Sequence, residues 1–235
     1  MKGPSAFTGL EIKGRVEPSA AMDTIKINEI FFSIQGESSW SGYPTVFVRT
    51  SGCHLRCTYC DTTYAYHEGE MMGVDQIIEK IASHSAKFVC ITGGEPLLQP
   101  AVHGLMKKLC DLGYRVSLET SGDKDCAAVD ERVKKIIDVK TPDSGEPNAF
   151  CMKNLDFLDG ETEFKFVICS EKDFEWAENF ARENKIFEKS NVLYSPSFAK
   201  IEEKWLAEKI LLEKSPARLQ LQLHKYIWSP HERGV

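Results

Sequence analysis

Three cysteines crowd into the segment Cys53-His54-Leu55-Arg56-Cys57-Thr58-Tyr59-Cys60, a C-x3-C-x2-C pattern. Eight cysteines placed at random over 235 positions would produce this spacing in about one such chain per hundred. Three thiolates on one short loop can converge on a single soft-metal centre. A structural zinc site normally closes with four ligands, and no fourth Cys or His follows at a usual distance; His54 and His67 do not complete a C-x2-C/H-x3-H arrangement. A cube of four irons held by three cysteines leaves one iron open, as an enzyme needs when the cluster must bind something other than protein. The remaining cysteines, Cys90, Cys110, Cys126, Cys151 and Cys169, stand singly and read as reduced, small core residues.

The chain that must position this loop is 42% hydrophobic and 27% charged, long enough to bury a core without disulfide staples. Its net charge of −6 argues against a nucleic-acid-binding surface and leaves room for a small anion in a local basic pocket. No apolar stretch approaches the roughly 18 residues that a membrane span needs. Residues 1–24 lack sustained periodicity and a secretory apolar run, so they read as a flexible N-terminal tail on a cytoplasmic protein. Residues 25–235 read as one domain.

Within that domain strand and helix signals alternate. IKINEIFFSI, TVFVRT, KFVCIT, YRVSLET, VKKIIDVK, EFKFVIC and NVLYSP read as strands, and LQLQLHKYIW (219–228) as a final strand-like run. VDQIIEKIASH, AVHGLMKKLCDLG, EKDFEWAENFAREN and AKIEEKWLAEKILLEK carry helical periodicity, the second stopping at Gly113. The expected fold is α/β, a partial (β/α)6-type barrel of mostly parallel strands, since a full eight-unit barrel typically takes about 250 residues. Chemistry in such folds gathers at the C-terminal strand ends. The cysteine loop, Gly93-Gly94-Glu95-Pro96, Glu119-Thr120-Ser121-Gly122 and Asp138-Val139-Lys140 all fall there.

These residues carry a resemblance. The cysteine loop with Tyr59 before its last cysteine, and Gly93-Gly94-Glu95 after a later strand, are similar to the signatures of the radical S-adenosylmethionine enzymes. Gln35-Gly36-Glu37, Arg49, Asp61-Thr62-Thr63 and Gln222-Leu223-His224-Lys225 narrow the resemblance to the 7-carboxy-7-deazaguanine synthases of queuosine biosynthesis, over roughly residues 25–235. The resemblance implies a radical SAM core and a reaction in which 6-carboxy-5,6,7,8-tetrahydropterin is ring-contracted to 7-carboxy-7-deazaguanine with loss of ammonia. It implies a 4Fe-4S cluster on Cys53, Cys57 and Cys60, S-adenosylmethionine, and Mg2+ on Thr62. By the same matching, Ile34, Gln35, Gly36, Arg49, Thr92, Gln222 and His224 would meet the pterin. Tyr59, Cys60, Asp61, Gly94, Glu119, Asp138, Val139 and Lys140 would surround S-adenosylmethionine. Many relatives have Ser-Pro-Lys where this chain has Asp138-Val139-Lys140. The Glu95 carboxylate is suited to an ammonium group. A homodimer and a reducing partner such as flavodoxin or ferredoxin are further implications.

Blander readings stand beside these. Arg49 could be a surface ion-pair partner, Thr62 and Thr63 a cap or turn pair, Asp138 and Lys140 an ion pair, and His224 a core histidine. An activase that places a radical on a partner protein's glycine shares the cysteine spacing and is the alternative activity; a non-catalytic metal-binding module is a third.

Overall fold

The computed structural model describes residues 23–230 and 232–235. The tail expected over residues 1–24 lies outside the described residues up to position 22, and Thr24 already belongs to the first strand. The elements in chain order are β1 (Thr24–Ile34), β2 (Pro44–Thr50), β3 (Glu70–Gly73), α1 (Val74–Ala82), β4 (Phe88–Gly93), α2 (Ala101–Asp111), β5 (Arg115–Thr120) and β6 (Lys134–Asp138). They continue with β7 (Glu163–Ile168), α3 (Glu171–Glu183), α4 (Ile186–Lys189), β8 (Asn191–Pro196), α5 (Glu203–Leu212), β9 (Arg218–Leu219) and α6 (His224–Ile227).

Among the described residues one open sheet contains every strand, in the order β3-β1-β2-β4-β5-β6-β7-β8-β9. From β2 to β9 all neighbours are parallel, whereas β1 is antiparallel to both β2 and β3. The mostly parallel partial barrel is therefore present, with an antiparallel edge added to it.

Register decides what the two faces carry. Paired residues share a face, and alternate residues along a strand switch face. Arg49 pairs with Thr92, Cys90 with Ser117, Asp138 with Lys165, and Val167 with Ser195, so one face is largely polar. The intervening positions, including Val48, Ile91, Leu118, Ile137, Phe166 and Tyr194, are apolar and buried in one core. Helices cover that apolar face: α1 turns Ile77 and Ile81 onto it, and α2 turns Leu105 and Leu109. Gly113, beyond the end of α2, has φ +86 and stops the helix as its position suggested.

The β–α alternation fails in two crossovers. β5–β6 is joined by irregular chain, and β6–β7 by irregular chain with two short 3-10 turns. Buried Asn154 substitutes for helical packing there: its amide donates to the carbonyls of Gly122 and Lys124 at 3.0 and 2.9 Å and accepts from Cys126 N–H at 3.0 Å. The final strand expected over residues 219–228 is also corrected. Pairing stops at Leu219, and residues 224–227 form a single helical turn. Among the described residues no strand lies beyond β9, so the alternation of LQLQLH has no ladder to enter. The chain instead crosses to the turn after β1, where Leu223 N–H donates to Gly36 C=O at 3.0 Å. Arg218 Nη2 reaches Ser38 C=O at 2.6 Å, and Ser39 N–H reaches Glu163 at 3.0 Å, stitching the open side of the sheet. Among the described residues no helix is long and apolar enough to cross a membrane.

Candidate active site

The polar face ends, at the C-terminal tips of the parallel strands, in a cavity of about 730 Å³. Cys53, Cys57 and Cys60 all line it, and all three are free thiols. Their loop is held at both flanks. Gly52 N–H donates to Ala65 C=O at 2.8 Å, Thr58 N–H to Ser144 C=O at 2.9 Å, and Arg56 N–H to Glu146 Oε1 at 2.7 Å. The Arg56 guanidinium folds back onto the carbonyls of Cys53 and Leu55 at 2.8 and 2.7 Å and lies 4.2 Å from the Tyr66 ring centroid.

The Gly-Gly-Glu loop packs directly on this loop. Gly94 N–H donates to Thr50 C=O, and Glu95 N–H to Gly52 C=O. A Cβ at Gly94 would collide with the Gly52 carbonyl and come within 3.0 Å of Cys53 Cβ, so only glycine permits the approach. Glu95 departs from expectation. Its side chain is buried and faces inward, accepting from Leu97 N–H at 2.9 Å, Ser121 N–H at 2.7 Å, Thr120 Oγ1 at 2.9 Å and Ser121 Oγ at 2.5 Å. It is outside the cavity lining and binds its own loops rather than a ligand's ammonium.

Three free thiols from one short loop, facing one cavity, are a donor set of the chemistry that an iron–sulfur cluster takes. Burial, the largest influence, pushes the Cys53 and Cys57 thiols up, so thiolate ligation here would release protons. His54, weighed as a zinc ligand, instead holds Asp123 at 2.6 Å.

The cavity floor is a chain of alternating charges. Lys140 Nζ lies 2.8 Å from Asp138 Oδ2, Lys165 Nζ lies 3.4 Å from Asp138 Oδ1, and the same Lys165 Nζ lies 2.7 Å from Glu37 Oε2. Burial opposes charge on each, but the paired charges win: Glu37 and Asp138 are held below the usual carboxylate range, and Lys140 and Lys165 above the usual ammonium range. Glu119 goes the other way, raised by burial and by the neighbouring Glu37, and it accepts from Thr92 Oγ1 at 3.0 Å and Gln35 Nε2 at 3.4 Å.

Most of the anticipated residues meet in this cavity: Arg49, Tyr59, Asp61, Thr62, Thr92 and Gly94, together with Glu119, Asp138, Lys140, Gln222 and His224. Four do not reach its wall. Gln35 lies behind Glu119, and Ile34 and Gly36 also stay out of the lining; Gly36 gives His224 the space a Cβ would fill. Val139 is a core side chain at 1% exposure whose N–H is used by Lys165 C=O. The ion-pair reading of Asp138 and Lys140 holds, and both still face the cavity. Arg49 is more than a surface partner: its Nε is fixed on Glu29 at 2.7 Å, and Tyr64 braces the same carboxylate at 3.0 Å. Sequence reading missed Lys165, Ser195, Ser197 and Lys200, which line the cavity from β7, β8 and the following turn, and gave Glu37 no role. Lys165 was visible only as the second charge, two positions after Glu163, in the strand EFKFVI.

Residues 47–144 match the family model described as the radical SAM superfamily. A 7-carboxy-7-deazaguanine synthase from Chlorobaculum tepidum is 45% identical over 214 residues, covering 90% of this chain and 97% of that protein. One from Koribacter versatilis is 41% identical over 228 residues, covering 90% and 100%. The crystal structure of QueE from Escherichia coli superposes with a TM-score of 0.72 at 20% identity, covering 86% of this chain and 95% of that one, a likeness of fold.

Proposed function

The chain belongs to the family of the 7-carboxy-7-deazaguanine synthases, and on that footing we propose how its residues carry out the radical ring contraction of 6-carboxy-5,6,7,8-tetrahydropterin to 7-carboxy-7-deazaguanine with release of ammonia. The observation that carries the reading is that three free thiols and the Arg49 guanidinium face one cavity at the C-terminal strand ends.

Cys53, Cys57 and Cys60 would hold the 4Fe-4S cluster. When bound and reduced, the cluster with S-adenosylmethionine supplies a 5′-deoxyadenosyl radical able to take the pterin's C6 hydrogen. The flat ring of Tyr59, with Lys140 Nζ 5.7 Å from its centroid, offers a stacking surface to the adenine. Asp138 and Lys140 present opposite charges to the two ends of an amino acid; Lys140 keeps the Lys of the relatives' Ser-Pro-Lys, and Asp138 stands in place of its Ser. Arg49 suits the substrate carboxylate: Glu29 occupies its Nε, and its terminal nitrogens have no protein partner among the described residues. Among the described residues Thr62 Oγ1 meets only Cys60 Sγ, at 3.8 Å, which leaves the hydroxyl open to Mg2+, a hard ion that takes oxygen ligands. Gln222 and His224 close the substrate side from the crossing C-terminal segment. Family membership also supports a homodimer, a cytoplasmic setting and a flavodoxin or ferredoxin as reductant.

The test is turnover by anaerobic, reconstituted protein given the carboxytetrahydropterin, S-adenosylmethionine, Mg2+ and a reductant. An ultraviolet-absorbing deazapurine with S-adenosylmethionine regenerated is the expected result. No product from protein with an intact cluster, or stoichiometric consumption of S-adenosylmethionine as a glycyl-radical activase requires, would overturn it.

A further inference from the structure

Glu37 follows Gln35-Gly36 in the turn after β1, and its carboxylate lies in the cavity wall. Oε2 accepts from Lys165 Nζ at 2.7 Å and Oε1 from Gln222 Nε2 at 2.9 Å. Each oxygen keeps a second acceptor position for a ligand. Among the described residues Lys165 is the one cation in ion-pair contact with Glu37, whereas Asp138, the other acid on Lys165, also has Lys140 at 2.8 Å. Losing Lys165 would therefore strip Glu37 of its counter-charge and leave Asp138 paired. Glu119 on β5 also has one donor on each oxygen, Thr92 and Gln35, but among the described residues no cation is in ion-pair contact with it, so it is the weaker acceptor. A buried carboxylate braced from both sides complements a ligand edge with two adjacent N–H donors. The 2-amino-4-oxo-pyrimidine edge of a pterin is such an edge.

We infer that Glu37 is a substrate-binding residue that accepts the paired N–H groups of the pterin's pyrimidine edge, and that Lys165 is the positioning residue that holds its carboxylate in place. This rests on the pterin reading above. The groups facing Glu37 are Lys165 from β7, Glu119 from β5, Asp138 from β6 through Lys165, and Gln222 and His224 from the C-terminal segment. Lys165 is what keeps Glu37 ionised against burial.

The experiment uses the cluster-loaded, anaerobic enzyme with S-adenosylmethionine and the carboxytetrahydropterin. Glu37→Gln raises KM for the pterin about tenfold to a hundredfold, as expected for a lost charge-assisted bond, with a smaller change in kcat. The change that S-adenosylmethionine induces in the reduced cluster's paramagnetic resonance spectrum stays as in the wild type. Lys165→Met loses pterin affinity at neutral pH and regains it as pH rises, because a buried Glu37 without its cation ionises only at higher pH. Wild type shows no such rising limb, and Lys165→Arg restores its behaviour. An unchanged KM in Glu37→Gln, or a pH-independent loss in Lys165→Met accompanied by a lost S-adenosylmethionine signal, overturns the inference. Wild-type enzyme with an intact cluster that neither binds nor converts the pterin overturns the parent reading, and this one with it; active wild type with an indifferent Glu37→Gln overturns this one alone.

Discussion

Replacing Glu95 by alanine should weaken the metal-free fold itself, whatever it then does to ligand binding. The carboxylate is fully buried and serves four donors: the N–H groups of Leu97 and Ser121 and the hydroxyls of Thr120 and Ser121. Ser121 Oγ has another acceptor in Asp123 Oδ1 at 2.6 Å, so its loss costs little. The other three donors are left without an acceptor, at about 1–3 kcal/mol each. Relief of the desolvation that a buried carboxylate suffers returns several kcal/mol of this. The net destabilisation is roughly 2–4 kcal/mol, in the range of a broken buried network. Urea unfolding of reduced, cluster-free protein without S-adenosylmethionine measures it directly, and Glu95→Gln, which keeps one acceptor oxygen, falls between wild type and Glu95→Ala. Unfolding free energy within about 0.5 kcal/mol of wild type, together with a large loss of S-adenosylmethionine affinity, would refute the reasoning and turn the carboxylate towards the ligand.

Gly94→Ala drives a methyl group into the Gly52 carbonyl and against Cys53. It should displace the cysteine loop at a cost of about 1–3 kcal/mol and reduce iron incorporation, read from iron content and the visible chromophore. Full incorporation would mean that the two loops are free to separate. Thr62→Ala should raise the Mg2+ concentration needed for half-maximal turnover while leaving the cluster absorption unchanged. Loss of that absorption would assign Thr62 to the loop's structure through its contact with Cys60.

Local patterns were the legible part. β4 reads from FVCITG because a parallel strand covered on both faces is a continuous apolar run, and the helices α1 and α2 read from the spacing of their buried residues. The cysteine loop was legible because its ligands are adjacent in sequence. The charged floor was not: Glu37 and Lys165 are separated by 128 positions, and they meet only where the turn after β1 reaches β7, as Ser39 N–H to Glu163 also shows, while the register of β6 against β7 adds Asp138. Glu95 misled because residue type shows that a carboxylate is present but not which way it faces; Thr120 and Ser121, 25 and 26 positions later, turn it inward. LQLQLHKYIW misled because period-two alternation persists past β9, where the described residues offer no further strand to pair with. The helix-less crossovers hang on Asn154, whose partners sit about thirty residues upstream.

The account stands or falls on the inorganic centre that Cys53, Cys57 and Cys60 would carry. Mössbauer spectroscopy of iron-57-loaded protein, prepared without oxygen and recorded with and without S-adenosylmethionine, addresses it directly. The account predicts a 4Fe-4S cluster in which one iron alone changes its signal when S-adenosylmethionine is added. A cluster whose irons are all unmoved by that addition, or a preparation that takes up zinc and no iron, would contradict it.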